Sequence, residues 1–373
     1  SPEYRSNLVP RLFENPCIQQ GEYILQKEIN TLDKLEKEIR QVANNDLSIS
    51  IKSIFEVYDD FDMPRELLEK LLGSEKIVFF IGAGVSRLCG IPLWDELADN
   101  AIKFLREKNY LNYFEAKKLS EQYLPKQKIS IFHKLISAAQ RQEFYEKQLK
   151  PKPLNSEQHE NKIDNPYELL SEFELALAKP IIKITTNIDN EWMATLEKRC
   201  KTSLEPKHNE SNSKKIKTQD SGFNGNQKIE TNVLYQLHGS LKNLDKTVFT
   251  TFEYINAYKN GGSQRNFLEK VFLEHTVLFI GNGLSEFEIL EHCLPKDVQK
   301  KHFALVDTYI GEKNLFRVKK EYFSEIGIHA IPYYLDFQEY NRLTMVLNEW
   351  TKTIKSKKSV PFYNNIELID EVL

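Results

Sequence analysis

Cysteine is scarce: four residues in 373, Cys17, Cys89, Cys200 and Cys293, stand far apart and never as a Cys-x-x-Cys pair. A zinc ribbon needs thiolates in close pairs, so none is expected, and four thiols in a reducing compartment is the simplest reading. Long apolar runs are missing too. Nothing approaches the ~20 residues that cross a bilayer, and the polar, charged start does not resemble a secretory signal, so the expectation is a cytoplasmic chain with no membrane partner. An excess of one charge is also absent. Lys and Arg number 51 against 54 Asp and Glu, a formal charge of -3, which supplies no overall drive toward nucleic acid or an anionic surface. Lys214, Lys215 and Lys217 lack interleaved aromatics and read as a solvated loop, so direct nucleic-acid binding is not expected. No internal repeat or heptad array stands out. No Gly-Lys-Ser/Thr ending closes a glycine-rich loop, which disfavours an ATP-hydrolysing P-loop.

The chain is 40% hydrophobic and long enough to bury a sizeable core. Ile77 to Ile81 is a continuous apolar run ending at glycine, the pattern of a strand covered on both faces. Further strand candidates are Ile181 to Thr185, Val233 to Leu237, Val277 to Ile280, Phe303 to Val306 and Ile328 to Leu335. A helix is expected from Pro92 or Leu93, with Trp94, Leu97, Ala98, Ile102 and Leu105 as its apolar stripe. Strands alternating with helical patterns predict an α/β fold: a Rossmann-like parallel sheet with a smaller helical module, drawn from Tyr110 to Gln148, and N-terminal helices. The expected division is an N-terminal helical extension over 1–72, a nucleotide-binding domain over 73–335 and a helical or extended tail over 336–373. In the extension, Ile24, Ile29, Leu32, Leu35 and Ile39 recur at near-helical spacing, and Pro64 to Leu72 offers another amphipathic turn or two. The polar stretches Lys150 to Asn165 and Lys201 to Glu230 read as surface excursions.

Four motifs follow strand candidates in order: Gly82-Ala83-Gly84-Val85-Ser86, Thr186-Asn187-Ile188-Asp189, Leu237-His238-Gly239 and Gly281-Asn282-Gly283. Open parallel sheets bind ligands at the carboxyl ends of their strands, where such loops meet, so the arrangement predicts a nucleotide site. Gly82 and Gly84 would let backbone amides approach a pyrophosphate, with Ser86 donating a hydroxyl hydrogen bond, or they simply make a tight turn. Asn187 and Asp189 are expensive to bury alone, which predicts an exposed or ligand-satisfied position, or else ordinary helix caps. His238 titrates near neutrality and can take a proton, although a lone histidine at a strand edge is more often structural.

The order and wording of these motifs resemble the sirtuin family over roughly Ile77 to Asp307. Gly82 to Ser86, with Gly90-Ile91-Pro92, is similar to the family's phosphate loop. Thr186 to Asp189 is similar to its Asn/Asp motif, His238-Gly239 to its catalytic histidine and Gly281 to Ser285 to its ribose-contacting loop. The resemblance implies NAD+ as substrate. Asp189 would recognise the nicotinamide carboxamide, Asn187 would position water or the nicotinamide ribose, and His238 would be the general base. Gly281, Asn282 and Gly283 would approach the adenosine ribose, whose hydroxyls Ser285 or Glu286 would bind. Trp94 would shield the nicotinamide ribose or serve only as a core anchor of its helix.

Three departures matter. Deacylating sirtuins usually carry a four-cysteine zinc module, and no zinc is expected here. Asp95 stands where they commonly have arginine, and Asn282-Gly283 replaces their Thr-Ser pair. The zinc-free set resembles the sirtuin-like NAD hydrolases of bacterial antiphage systems. That implies an NAD+ glycohydrolase acting as an abortive-infection effector, forming a homo-oligomer or pairing with an ATPase, an Argonaute-like protein or another sensor. The alternatives are an NAD-dependent protein deacylase and a non-catalytic sensor of NAD or ADP-ribose.

Overall fold

Alternation along a strand sends successive side chains to opposite faces, so an unbroken apolar run such as Ile77–Ile81 demands cover on both sides. The computed structural model, which describes residues 61–73, 76–152, 165–202, 216–293, 302–335 and 339–359, supplies it. Seven strands form one parallel sheet: β1 Ile77–Ile81, β2 Ile182–Thr185, β3 Lys217–Gln219, β4 Val233–Gln236, β5 Thr276–Ile280, β6 His302–Thr308 and β7 Ile328–Tyr334. Their order is β3-β4-β2-β1-β5-β6-β7, with every neighbouring pair parallel. The fold is α/β and Rossmann-like, as expected.

The helices of eight or more residues are α1 Arg65–Leu72, α2 Trp94–Glu107, α3 Tyr113–Gln122, α4 Pro125–Leu135, α5 Ala138–Gln148, α6 Pro166–Leu177, α7 Glu191–Thr202, α8 Thr251–Tyr258, α9 Ser263–Glu274, α10 Lys313–Glu325 and α11 Arg342–Ser359. One face of the sheet, with Phe79, Ile81, Leu278 and Ile280, packs against Leu67 and Leu71 of α1, Phe173 of α6 and Leu347, Trp350 and Ile354 of α11. The other, with Val78, Phe80, Val277 and Phe279, packs against Tyr254 of α8 and Phe267, Val271 and Phe272 of α9. Helices α2 to α5 enclose a core of their own, including Leu97, Ile102, Phe132 and Phe144, which Phe249 and Ile188 join from the sheet side. This is the smaller helical module.

One feature departs from the sequence reading. The stretch from Lys201 to Glu230 is not simply a surface excursion: 203–215 lie outside the described residues, but Lys217–Gln219 forms β3 at the sheet edge, and Phe223 and Ile229 are buried. The expected helix from Ile24 to Ile39, Cys17, Lys214, Lys215 and residues 153–164 likewise lie outside the described residues. Among the described residues, no helix is long and apolar enough to cross a membrane.

The site's position follows from the strand order. After β1 the chain builds outward through β2 and returns to the opposite side of β1 at β5, so the loops leaving β1 and β5 face each other at the switch point, where a crevice opens.

Candidate functional site

At the carboxyl end of β2, Thr185 ties two strand ends together. Its hydroxyl donates to the Ile81 carbonyl at 2.8 Å and accepts from the Asn187 amide at 2.9 Å. The Asn187 side chain then points back at the first loop, its Nδ2 donating to the Gly82 carbonyl at 2.9 Å and to Ser86 Oγ at 2.8 Å. Ser86 donates to Asp189 Oδ2 at 2.7 Å. Tyr167 of α6 lies 2.8 Å from the same hydroxyl, and because the serine's one proton goes to Asp189, the tyrosine is the donor. Asp189 Oδ1 accepts the Glu191 amide at 3.1 Å at the start of α7, and Gln236, closing β4, donates to the Asp189 carbonyl at 3.2 Å.

This network corrects the expectation of an exposed or ligand-satisfied pair. Asn187 is 8% exposed and Asp189 6%, and protein partners satisfy much of their polar capacity. Asp189 both caps a helix and lines the cavity. Burial raises its carboxyl above the usual range, opposed by the hydrogen bonds from Ser86 and Glu191. Ser86, itself buried, is engaged inside this network rather than presented to a phosphate. With both Nδ2 hydrogens of Asn187 occupied, its Oδ1 is the atom left for another partner.

The glycines also serve a different contact from the expected one. A Cβ at Gly82 would lie 2.6 Å from the Gly281 carbonyl oxygen, and one at Gly84 would lie 2.8 Å from it. The Gly84 amide donates to that carbonyl at 2.7 Å. These residues are small because the loops after β1 and β5 press directly on one another.

His238 follows β4 and is 3% exposed. Its Nε2 lies 2.9 Å from the Tyr258 hydroxyl, and its Nδ1 lies 3.3 Å from that of Tyr254, one turn earlier on α8. Burial and the nearby Lys126 push the imidazole down to about 3, so His238 is neutral at physiological pH instead of titrating near neutrality as expected. Tyr254 in turn donates to Glu286 Oε1 at 3.4 Å. Glu286 is pushed up to about 7 by burial, with Lys126 and the Tyr254 hydrogen bond opposing and Glu288 adding to the rise. Lys126 of α4 stands 3.8 Å from the centre of the Tyr254 ring and pairs with Glu288 at 2.9 Å, joining the helical module to the loop after β5.

Ala83, Ser86, Trp94, Asn187, Asp189 and His238 line one cavity, together with Phe249, Tyr254 and Glu286. Its cavity volume is about 80 Å³, small beside the ~300–1,000 Å³ usual for small-molecule sites. Trp94 fits both of its readings. Half-buried, it stacks on Phe249 with ring centres 6.1 Å apart and packs against the helical core, yet it also forms cavity wall. Gly82, Gly84 and Gly281 form the seam beside the cavity rather than its lining. Asn282 Oδ1 accepts the Leu284 amide at 2.8 Å, and Gly283 and Ser285 are exposed outside the lining. Tyr167, Tyr254, Tyr258 and Lys126 escaped the sequence reading. The only local signal was the i,i+4 spacing of Tyr254 and Tyr258, which puts both hydroxyls on one helix face.

Two buried polar atoms in this lining have no hydrogen-bond partner among the described residues: Trp94 Nε1 and Glu286 Oε2. Such orphans are uncommon and mark capacity for a ligand. Among the described residues, no group of three or more His, Cys, Asp or Glu side chains is placed to hold a metal ion. The thiol of Cys89 is pushed up to about 12 by burial and by Asp189, so it is no nucleophile.

Residues 182–328 match the family model of the SIR2-like domain. The matched stretch carries Asn187, Asp189, His238, Gly281 and Glu286, and the β1 loop lies before it. The match is compatible with an NAD-linked enzyme. Comparison with curated proteins finds no match.

Proposed function

We propose that this chain is an NAD+ glycohydrolase, cleaving NAD+ with water to nicotinamide, ADP-ribose and a proton. The observation that carries the reading is the meeting of Asn187, Asp189 and His238, from the ends of two different strands, in one cavity beside β1. The bond to be broken joins C1′ of ribose to a pyridinium nitrogen, and nicotinamide leaves as a neutral ring. The protein therefore needs to hold the ring, shelter an oxocarbenium-like centre and present a water. Asp189 retains acceptor capacity for the carboxamide hydrogens. Asn187 Oδ1 orients the water, and His238, a neutral imidazole, accepts a hydrogen bond from it in place of the one from Tyr258. Trp94 covers the ribose, its unpartnered Nε1 available to a substrate oxygen.

The chain's place as an antiphage effector, assembled as a homo-oligomer or with a sensing partner and acting in the cytoplasm, rests on the zinc-free motif set and its resemblance to such hydrolases. The test is incubation of the purified chain with NAD+ and separation of the products by chromatography. Wild type should release nicotinamide and ADP-ribose, and His238→Ala and Asn187→Ala should each lose at least about 100-fold. NAD+ binding without release would move the reading to a sensor. Acetyl-ADP-ribose formed only with an acetyl-lysine peptide would replace it with deacylation.

A further inference from the structure

We propose that Glu286 is a further catalytic residue of this site, its Oε2 contacting the nucleophilic water beside His238 and taking up the proton that the water gives up. The inference rests on the hydrolase reading above and extends it to a residue outside the Asn187 and His238 pair.

Geometry is the first support. Glu286 Oε2 is buried, lines the same cavity as Asn187 and His238, and has no hydrogen-bond partner among the described residues. It lies 3.9 Å from His238 Nε2, too far for a direct hydrogen bond. An oxygen atom set to the side of the line joining them can make a bond of ordinary length to each, with Nε2 exchanging its Tyr258 contact for it, so the position suits a water or hydroxyl. The other carboxylate oxygen is held by Tyr254, which also touches His238 Nδ1, so one tyrosine aligns both groups toward the cavity.

The second support is the proton's destination. His238 is a poor resting place for it, because burial and Lys126 hold the imidazole near 3. Glu286, near 7, is a much better one and still ionises at physiological pH. The charged and titratable groups facing it are Lys126 of α4, Tyr254 and Tyr258 of α8, His238 after β4, and Glu288 in the short helix Phe287–Leu290 that follows. In the step itself, the water oxygen bonds to C1′ as the C1′–N bond breaks, leaving its electron pair on the nicotinamide nitrogen. The water proton passes to the Glu286 carboxylate and returns to solvent on product release.

The experiment compares wild type with Glu286→Gln and Glu286→Asp for nicotinamide release from pH 5 to 9, with NAD+ affinity measured by calorimetry. Wild type should show a kcat limb rising with pH near 7. Glu286→Gln should lose about 100-fold in kcat and lose the limb, with affinity within about threefold. Glu286→Asp, which keeps the carboxylate, should recover part of both. An active wild type with His238→Ala inactive and Glu286→Gln unchanged in rate and pH profile refutes this proposal alone. Loss of kcat in Glu286→Gln with the limb intact also refutes it, assigning the residue a structural role. No nicotinamide release from wild type refutes the hydrolase reading itself, and this proposal with it.

Discussion

Glu286 carries a cost in stability that a single substitution should reveal without any assay of activity. Its carboxyl sits near 7 in the folded protein against an ordinary value of 4.5, so the folded state binds its proton more tightly than the unfolded chain does. For a carboxyl raised in this way, the stability it contributes is fully present below pH 4.5 and is lost as pH rises through 7. Across that window the difference amounts to about 3 kcal/mol. The figure is an upper bound, because the side chain is 27% exposed and water reaches part of it. Glu286→Gln replaces the carboxyl with a neutral isostere that can still accept from Tyr254, so it removes the pH-dependent penalty. Urea denaturation of wild type and variant at pH 4.5 and pH 8 measures this. The two should be close in stability at the lower pH, and the variant should be more stable at pH 8 by up to about 3 kcal/mol, or a thermal midpoint about 5 °C higher. A difference that is the same at both pH values, or that favours wild type at pH 8, would show that the carboxylate is not held against desolvation and would remove the reason to regard it as tuned.

Other consequences can be checked separately. Ser86→Ala takes away the donor to Asp189 and an acceptor for Asn187 in a buried network, so it should destabilise by about 2–3 kcal/mol in urea denaturation; a change under about 0.5 kcal/mol would mean that water replaces the hydroxyl there. Gly84→Ala places a Cβ 2.8 Å from the Gly281 carbonyl and should destabilise by about 1–3 kcal/mol, whereas an unchanged midpoint would mean that the loop after β5 yields freely. Lys126→Met removes the cation that holds Glu286 down and should shift the rising limb of the nicotinamide-release profile to higher pH; an unmoved or downward-shifted limb would separate that limb from Glu286.

Much of the scaffold was legible because a strand covered on both faces has to be apolar throughout, which is why Ile77–Ile81 matches its sequence reading to the residue and five other strands differ from theirs only at their ends. The amphipathic stripe of α2 was legible for a similar reason, since Leu97, Ala98, Ile102 and Leu105 meet the core at helical spacing. Strand β3 was not, because Lys217–Gln219 joins the sheet through backbone pairing with β4, and its side chains carry no apolar pattern. The four motif loops were visible as punctuation after strands, and parallel strand order pressed the β5 loop against the β1 loop and set the other three on one cavity wall, which the β5 segment reaches through Glu286. What local sequence does not encode is environment. Asn187 and Asp189 became a buried pair only through Ser86 and Tyr167, 101 and 20 residues from Asn187 along the chain. His238 lost its neutral-range titration to burial and to Lys126 from the helical module. Sequence alone determined that a parallel α/β sheet would present these loops at one edge. Tertiary packing decided which of their polar atoms are satisfied by protein and which, like Glu286 Oε2, still face the cavity, because hydrogen-bond satisfaction and desolvation depend on neighbours that chain order does not specify.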